Sequence, residues 1–83
     1  MDGYRQVLQI VADTSQPLGW YGIEIRLGMK GIVLEEDLIA VLRDLVDQGV
    51  LVHEDAPGHP HGVYHLTDLG KVHLERQQHA QPA

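Results

Sequence analysis

Apolar positions recur at helical spacing three times along this chain before the period changes. Tyr4, Val7, Leu8, Ile10 and Val11 form an amphipathic helix ending near Asp13, where TSQPLG supplies turn chemistry. Residues 20–28, WYGIEIRLG, carry Tyr21, Ile23, Ile25 and Leu27 on a second, shorter helix that Gly28 is expected to close. Ile32, Val33 and Leu34 fit either a short edge strand or an extended linker. From Glu35 onward, Leu38, Ile39, Val41, Leu42, Leu45 and Val46 share one broad arc expected to face the core, and Gly49 stops this third helix. Residues 50–54 and 63–66 are strand-like. The intervening DAPGHPHG is so rich in turn formers that it predicts a hairpin with a loop too long for a tight turn. Thr67 is placed to cap a last helix over 68–78, and HAQPA predicts a frayed end.

These elements make an α+β chain that is mainly α. Its 83 residues suffice for one small domain, expected over 1–79 with 80–83 as a flexible tail. With 43% hydrophobic and 22% charged residues the composition is globular, and no apolar run reaches the roughly 18 residues of a membrane span. The first residues, MDGYRQ, lack a secretory pattern, and there is no cysteine, so the expected setting is the cytoplasm. The net charge of −6 opposes contact with polyanions unless a local basic patch forms. His53, His59, His61, His65, His73 and His79 all fall in the C-terminal part, where acidification adds positive charge.

Three helices, a hairpin and a closing helix follow the order of a winged helix. The chain resembles the small PadR-type winged helix-turn-helix regulators through YGIEI at 21–25, VLRDLVDQGVL at 41–51 and VYHLTDLGKVHL at 63–74, and less closely the broader MarR-like superfamily. The similarity spans about residues 4–75. It implies a DNA-binding transcription regulator, usually dimeric, with its third helix in the major groove and its wing near the backbone. Carried onto this chain, Ala40, Arg43, Asp44 and Asp47 face the groove, His59 and His61 approach the backbone, and Lys30 adds positive charge beside them. Three departures stand out. Glu35, Glu36 and Asp37 open the third helix where relatives carry small polar residues. Pro57, Gly58, His59, Pro60 and His61 occupy the wing where relatives carry lysine or arginine. The last helix is shorter.

Charge sharpens the first departure. The outward arc of the third helix holds Arg43 against Glu36, Asp37, Asp44 and Asp47. A carboxylate about 4 Å from a phosphate costs roughly 1 kcal/mol in water and about 4 at an effective dielectric near 20. Phosphate contacts by lysine and arginine normally carry the affinity. Arg5, Arg26, Lys30, Arg43, Lys71 and Arg76 are either scattered or gathered into a footprint by the fold. The same acidic face has a second functional reading, a protein-interaction module in which Glu36, Asp37, Asp44 and Asp47 meet a basic partner. It is equally consistent with a solvated helix face.

Other chemistry is thin. His59 and His61 flank Pro60, with His53, Glu54 and His65 nearby in sequence, a set able to bind zinc or nickel if about four ligands converged. The expectation is no metal and no cofactor. Trp20 and Tyr21 read as core or interface anchors rather than a ligand platform, and Tyr64 as wing packing. Ser15 is the sole serine, and no glycine-rich phosphate loop follows a strand, so no enzymatic activity is expected.

Overall fold

Helix α1 (Gly3–Asp13) turns Val7, Leu8, Ile10 and Val11 inward. Helix α2 (Trp20–Met29) buries Ile23 and Leu27, and α3 (Leu38–Asp47) buries Val41, Leu42 and Leu45. Strands β1 (Leu51–Ala56) and β2 (His59–Leu66) form an antiparallel hairpin, and α4 (Asp68–His79) closes the chain. These elements come from a computed structural model that describes residues 3–79; the tail expected at 80–83 lies outside them. The architecture is α+β and mainly helical: four helices around one core, with a two-stranded sheet.

Both inner helices end in the same way, because glycine reaches the left-handed conformation without a Cβ penalty. After α3, Gly49 takes φ +80°, its N–H bonds to Val46 O at 2.9 Å, and Val50 N–H reaches back to Leu45 O at 3.1 Å. After α2 the stop is Gly31 (φ +70°), with Gly31 N–H on Gly28 O at 3.0 Å and Ile32 N–H on Leu27 O at 2.9 Å. The helix therefore runs past Gly28, the expected terminator, because the paired bonds also need an apolar residue after the glycine to pack inward, and Ile32 supplies it. Helix α3 begins at Leu38 rather than Glu35, with Asp37 extended at its N-cap position.

The hairpin corrects a second expectation. Ala56 pairs with His59, so the connection is the two-residue turn Pro57-Gly58, with Gly58 at φ +79°. Proline followed by a positive-φ glycine suits a type II turn. The remaining turn formers of DAPGHPHG lie in the strands, and β2 takes them up by being irregular: Glu54 pairs with Val63, and the register shifts before Ala56. Gly62 (φ +77°) accommodates this bulge, where any Cβ would press on the His53 ring and Glu54 carbonyl. His59 and His61 accordingly lie in a strand. Residues 32–34 form no strand. Leu18 instead lies against the hairpin, its carbonyl accepting from Tyr64 N–H at 2.8 Å.

One junction ties the layers together. Thr67 Oγ1 donates to Gly49 O at 2.6 Å and accepts from Gly70 N–H at 3.0 Å, capping α4 as its position predicted, while Thr67 N–H bonds to Val50 O at 3.1 Å. Gly70 sits so close that an added Cβ would overlap the Val50 carbonyl oxygen. Thr67→Val should therefore lower stability by about 1–2 kcal/mol through the lost cap. Gly70→Ala should cost more, about 3 kcal/mol, because backbone rather than a mobile side chain must yield. Urea unfolding followed by circular dichroism measures both, and a Gly70→Ala protein as stable as the parent would refute this docking of α4.

Candidate functional site

The face of α3 turned toward the hairpin holds Ile39, Arg43 and Val46, spaced i, i+4, i+7. The hairpin contributes His53, Asp55, Pro60, His61 and Tyr64, and α2 contributes Trp20; together they enclose an open groove of about 660 Å³. Ile39 and Val46 were expected in the core. Val46 is half-buried and does pack against it, but Ile39 is 39% exposed, because Val41, Leu42 and Leu45 already fill the inner side of α3.

Within the groove the hairpin side is ordered by His53. Its ring stacks on Tyr64, centroids 4.6 Å apart and planes within 9°, and its Nε2–H donates to His61 O at 2.6 Å. The second bond spans the β2 bulge, so the imidazole braces the irregular stretch. Burial raises the Tyr64 phenol above its ordinary pKa, while the nearby Arg43 guanidinium works in the opposite direction. Arg43 is thus the cation of the groove and Asp55 its anion, over a floor of Trp20, Ile39, Val46 and Tyr64.

The other candidate residues lie elsewhere. Ala40 and Asp47 are exposed on α3 outside the groove lining. Asp44 and Glu36 turn toward α1, where the Tyr4 hydroxyl lies 2.5 Å from Asp44 Oδ2 and 2.9 Å from Glu36 Oε2. Asp37 holds the N-cap position of α3. Lys30 is 3.9 Å from Asp13 and shares with Arg26 a depression lined by Ile10, Leu18 and Met29. Lys71 pairs with Asp68 at 3.9 Å. None of Arg5, Arg26, Lys30 or Lys71 lines the groove beside α3, so no broad basic footprint forms there among the described residues. His59 is exposed on β2, and His65 approaches Glu54 at 3.7 Å across the hairpin. Among the described residues, histidine, aspartate and glutamate nowhere gather in a group of three able to hold a metal ion.

Sequence reasoning missed Ile39, Val46, Asp55 and Trp20 as groove residues. One signal was available: Ile39 and Val46 share a helical column with the only cation of α3. Asp55 and Pro60 join the groove from the strands that flank the tight turn. No helix among the described residues is long and apolar enough to cross a membrane. No family model, no curated protein and no solved structure matches this chain.

Tyr4 carries a pH signature. Its hydroxyl proton is shared between two carboxylates, and deprotonation would place a third negative charge beside them, so its pKa stands well above the ordinary value, first through the Asp44 hydrogen bond and then the Glu36 bond. A raised folded-state pKa means the contribution is complete below the unfolded phenol's pKa of about 10 and is lost as pH rises through the folded value. Tyr4→Phe should consequently be less stable than the parent at neutral pH, with the gap narrowing above about pH 10. Paired denaturation curves at the two pH values test this; a gap that widens in alkali would exclude the assignment.

Proposed function

We propose that the chain is a winged-helix domain that binds duplex DNA as a small cytoplasmic transcription regulator, in line with its PadR-type resemblance. The architecture is supported by the Leu18–Tyr64 bridge. It sets Leu18, between α1 and α2, beside the hairpin through a single isolated bridge, at the place where a winged helix carries its first short strand. The function rests on one observation: Arg43 of α3 and His53 and His61 of the hairpin line the same groove. In this reading Arg43, flanked by Ala40 and Asp47, meets base edges in the major groove, and the hairpin with His59 and His61 follows the phosphate backbone.

Charge sets the strength. One arginine against Asp55, on a molecule of net charge −6, makes binding weak near pH 7.5. Histidine is the residue type whose charge changes between about pH 5 and 8, so acidification is the condition that tests a histidine contribution to this groove. A second reading, an interaction module whose acidic α3 meets a basic protein, is favoured by the outward Asp47, the Glu36–Asp44 pair at Tyr4, and the absence of other lysines or arginines from the groove lining.

Fluorescence anisotropy with random duplex DNA at about 50 and 200 mM salt, at pH 7.5 and pH 6, separates the two. The DNA reading expects tighter binding at pH 6. About three cationic contacts would lose roughly fortyfold in affinity over that salt range, and Arg43→Ala should reduce the salt slope by about one contact. Absence of binding at both pH values would overturn the DNA reading, and capture of a basic peptide in its place would establish the second.

A further inference from the structure

Helix α2 is apolar on two opposite sides. Ile23 and Leu27 are buried in the domain's own core, 0% and 4% exposed. On the far side Tyr21, Ile25 and Met29, each four residues after the last, form one column and are 62%, 44% and 81% exposed. An apolar stripe on a helix is normally turned against a packing partner. Here the core covers one side, and solvent meets the other.

The outer column has the features of a packing surface. Gly28 lies beside Ile25 and Met29, and a Cβ added to it would meet nothing within 4 Å, so no side chain of this chain covers the column there. Trp20 and Tyr21 stand edge to face at 5.6 Å. This contact pins the first residue of the column. Glu24 and Arg26 flank the column about 100° to either side on the helical wheel. Both are exposed, and neither joins an ion pair with another described residue.

Those flanking charges select the occupant. A two-fold axis running along α2 pairs two copies in parallel and exchanges their edges, so Glu24 of each copy meets Arg26 of the other. An axis across α2 pairs them antiparallel and sets Glu24 against Glu24 and Arg26 against Arg26. Only the parallel pairing is charge-complementary, by the rule that orders flanking charges in parallel helix pairs. We propose that α2 is the face on which this chain self-associates, a second copy packing in parallel about a two-fold axis through Tyr21, Ile25 and Met29. This inference does not rest on DNA binding. A column on a ten-residue helix, about 15 Å long, is smaller than a standard interface, which makes the dimer a weak, reversible one.

Sedimentation velocity of the full chain without DNA, from about 5 µM to 1 mM, tests the proposal. The expected result is a monomer–dimer equilibrium. Ile25→Glu should weaken it at least tenfold with an unchanged thermal melt, and Met29→Glu gives the same reading should Ile25→Glu disturb folding. Glu24→Arg should weaken association, and the double variant Glu24→Arg with Arg26→Glu should restore it, since only parallel pairing rejoins opposite charges. A chain that stays monomeric to 1 mM overturns the proposal. So does a dimer indifferent to Ile25→Glu and Met29→Glu, or one indifferent to the charge exchange.

Discussion

The junction at Thr67 is the constraint on which the rest of this structure depends. One hydroxyl satisfies the Gly49 carbonyl that α3 leaves behind and the Gly70 N–H that α4 presents, while the Thr67 amide holds the Val50 carbonyl at the root of β1. The Val50 carbonyl and the Gly70 N–H belong to buried residues, and either left unpaired would cost about 1–3 kcal/mol. Because Gly70 admits α4 to contact with the Val50 backbone, the end of α3, the start of the hairpin and the start of α4 hold one fixed geometry. The angle between α3 and the hairpin follows from it. That angle forms the groove.

The groove and the acidic side of α3 divide the charges of one helix between two tasks. Arg43 faces the hairpin, where it works against the burial that raises the Tyr64 phenol. Asp44, its neighbour in sequence, points a little over a quarter turn away into a hydrogen bond from Tyr4 that also draws in Glu36. Two of the acids that make this helix look unsuited to nucleic acid are therefore occupied in holding α1 against α3. The electrostatic obstacle is smaller at the groove than the whole-helix sum implies, and Asp55 stays within it. The charge of this surface is a balance of a few groups rather than a field of one sign.

Helix α2 shows how a short chain uses limited apolar material twice. Its inner residues complete the core with α1 and α3, and its outer column leaves a second surface whose flanking charges are of opposite sign. The groove and this surface meet at Trp20, which lines the one and contacts Tyr21 of the other. Whatever occupies one face is thus one aromatic contact away from the other.

Periodicity together with local turn, stop and cap residues determined the four helices, the hairpin, the buried column of α1, the stop at Gly49 and the cap at Thr67, because each is set by residues close in sequence. The α2 terminus was misread for want of Ile32, whose inward packing selects Gly31 over Gly28. The tight turn was hidden by a bulge that Gly62 and the His53 ring accommodate together, eight residues or more apart in the chain. Of the candidate site, Arg43 and His61 were legible as charges. Which side of α3 closes the core, and hence that Ile39 and Val46 face the hairpin while Asp44 faces Tyr4, was decided only by tertiary packing. An arc of six apolar residues on a ten-residue helix is wider than one core can bury, and the neighbours choose which part stays outside.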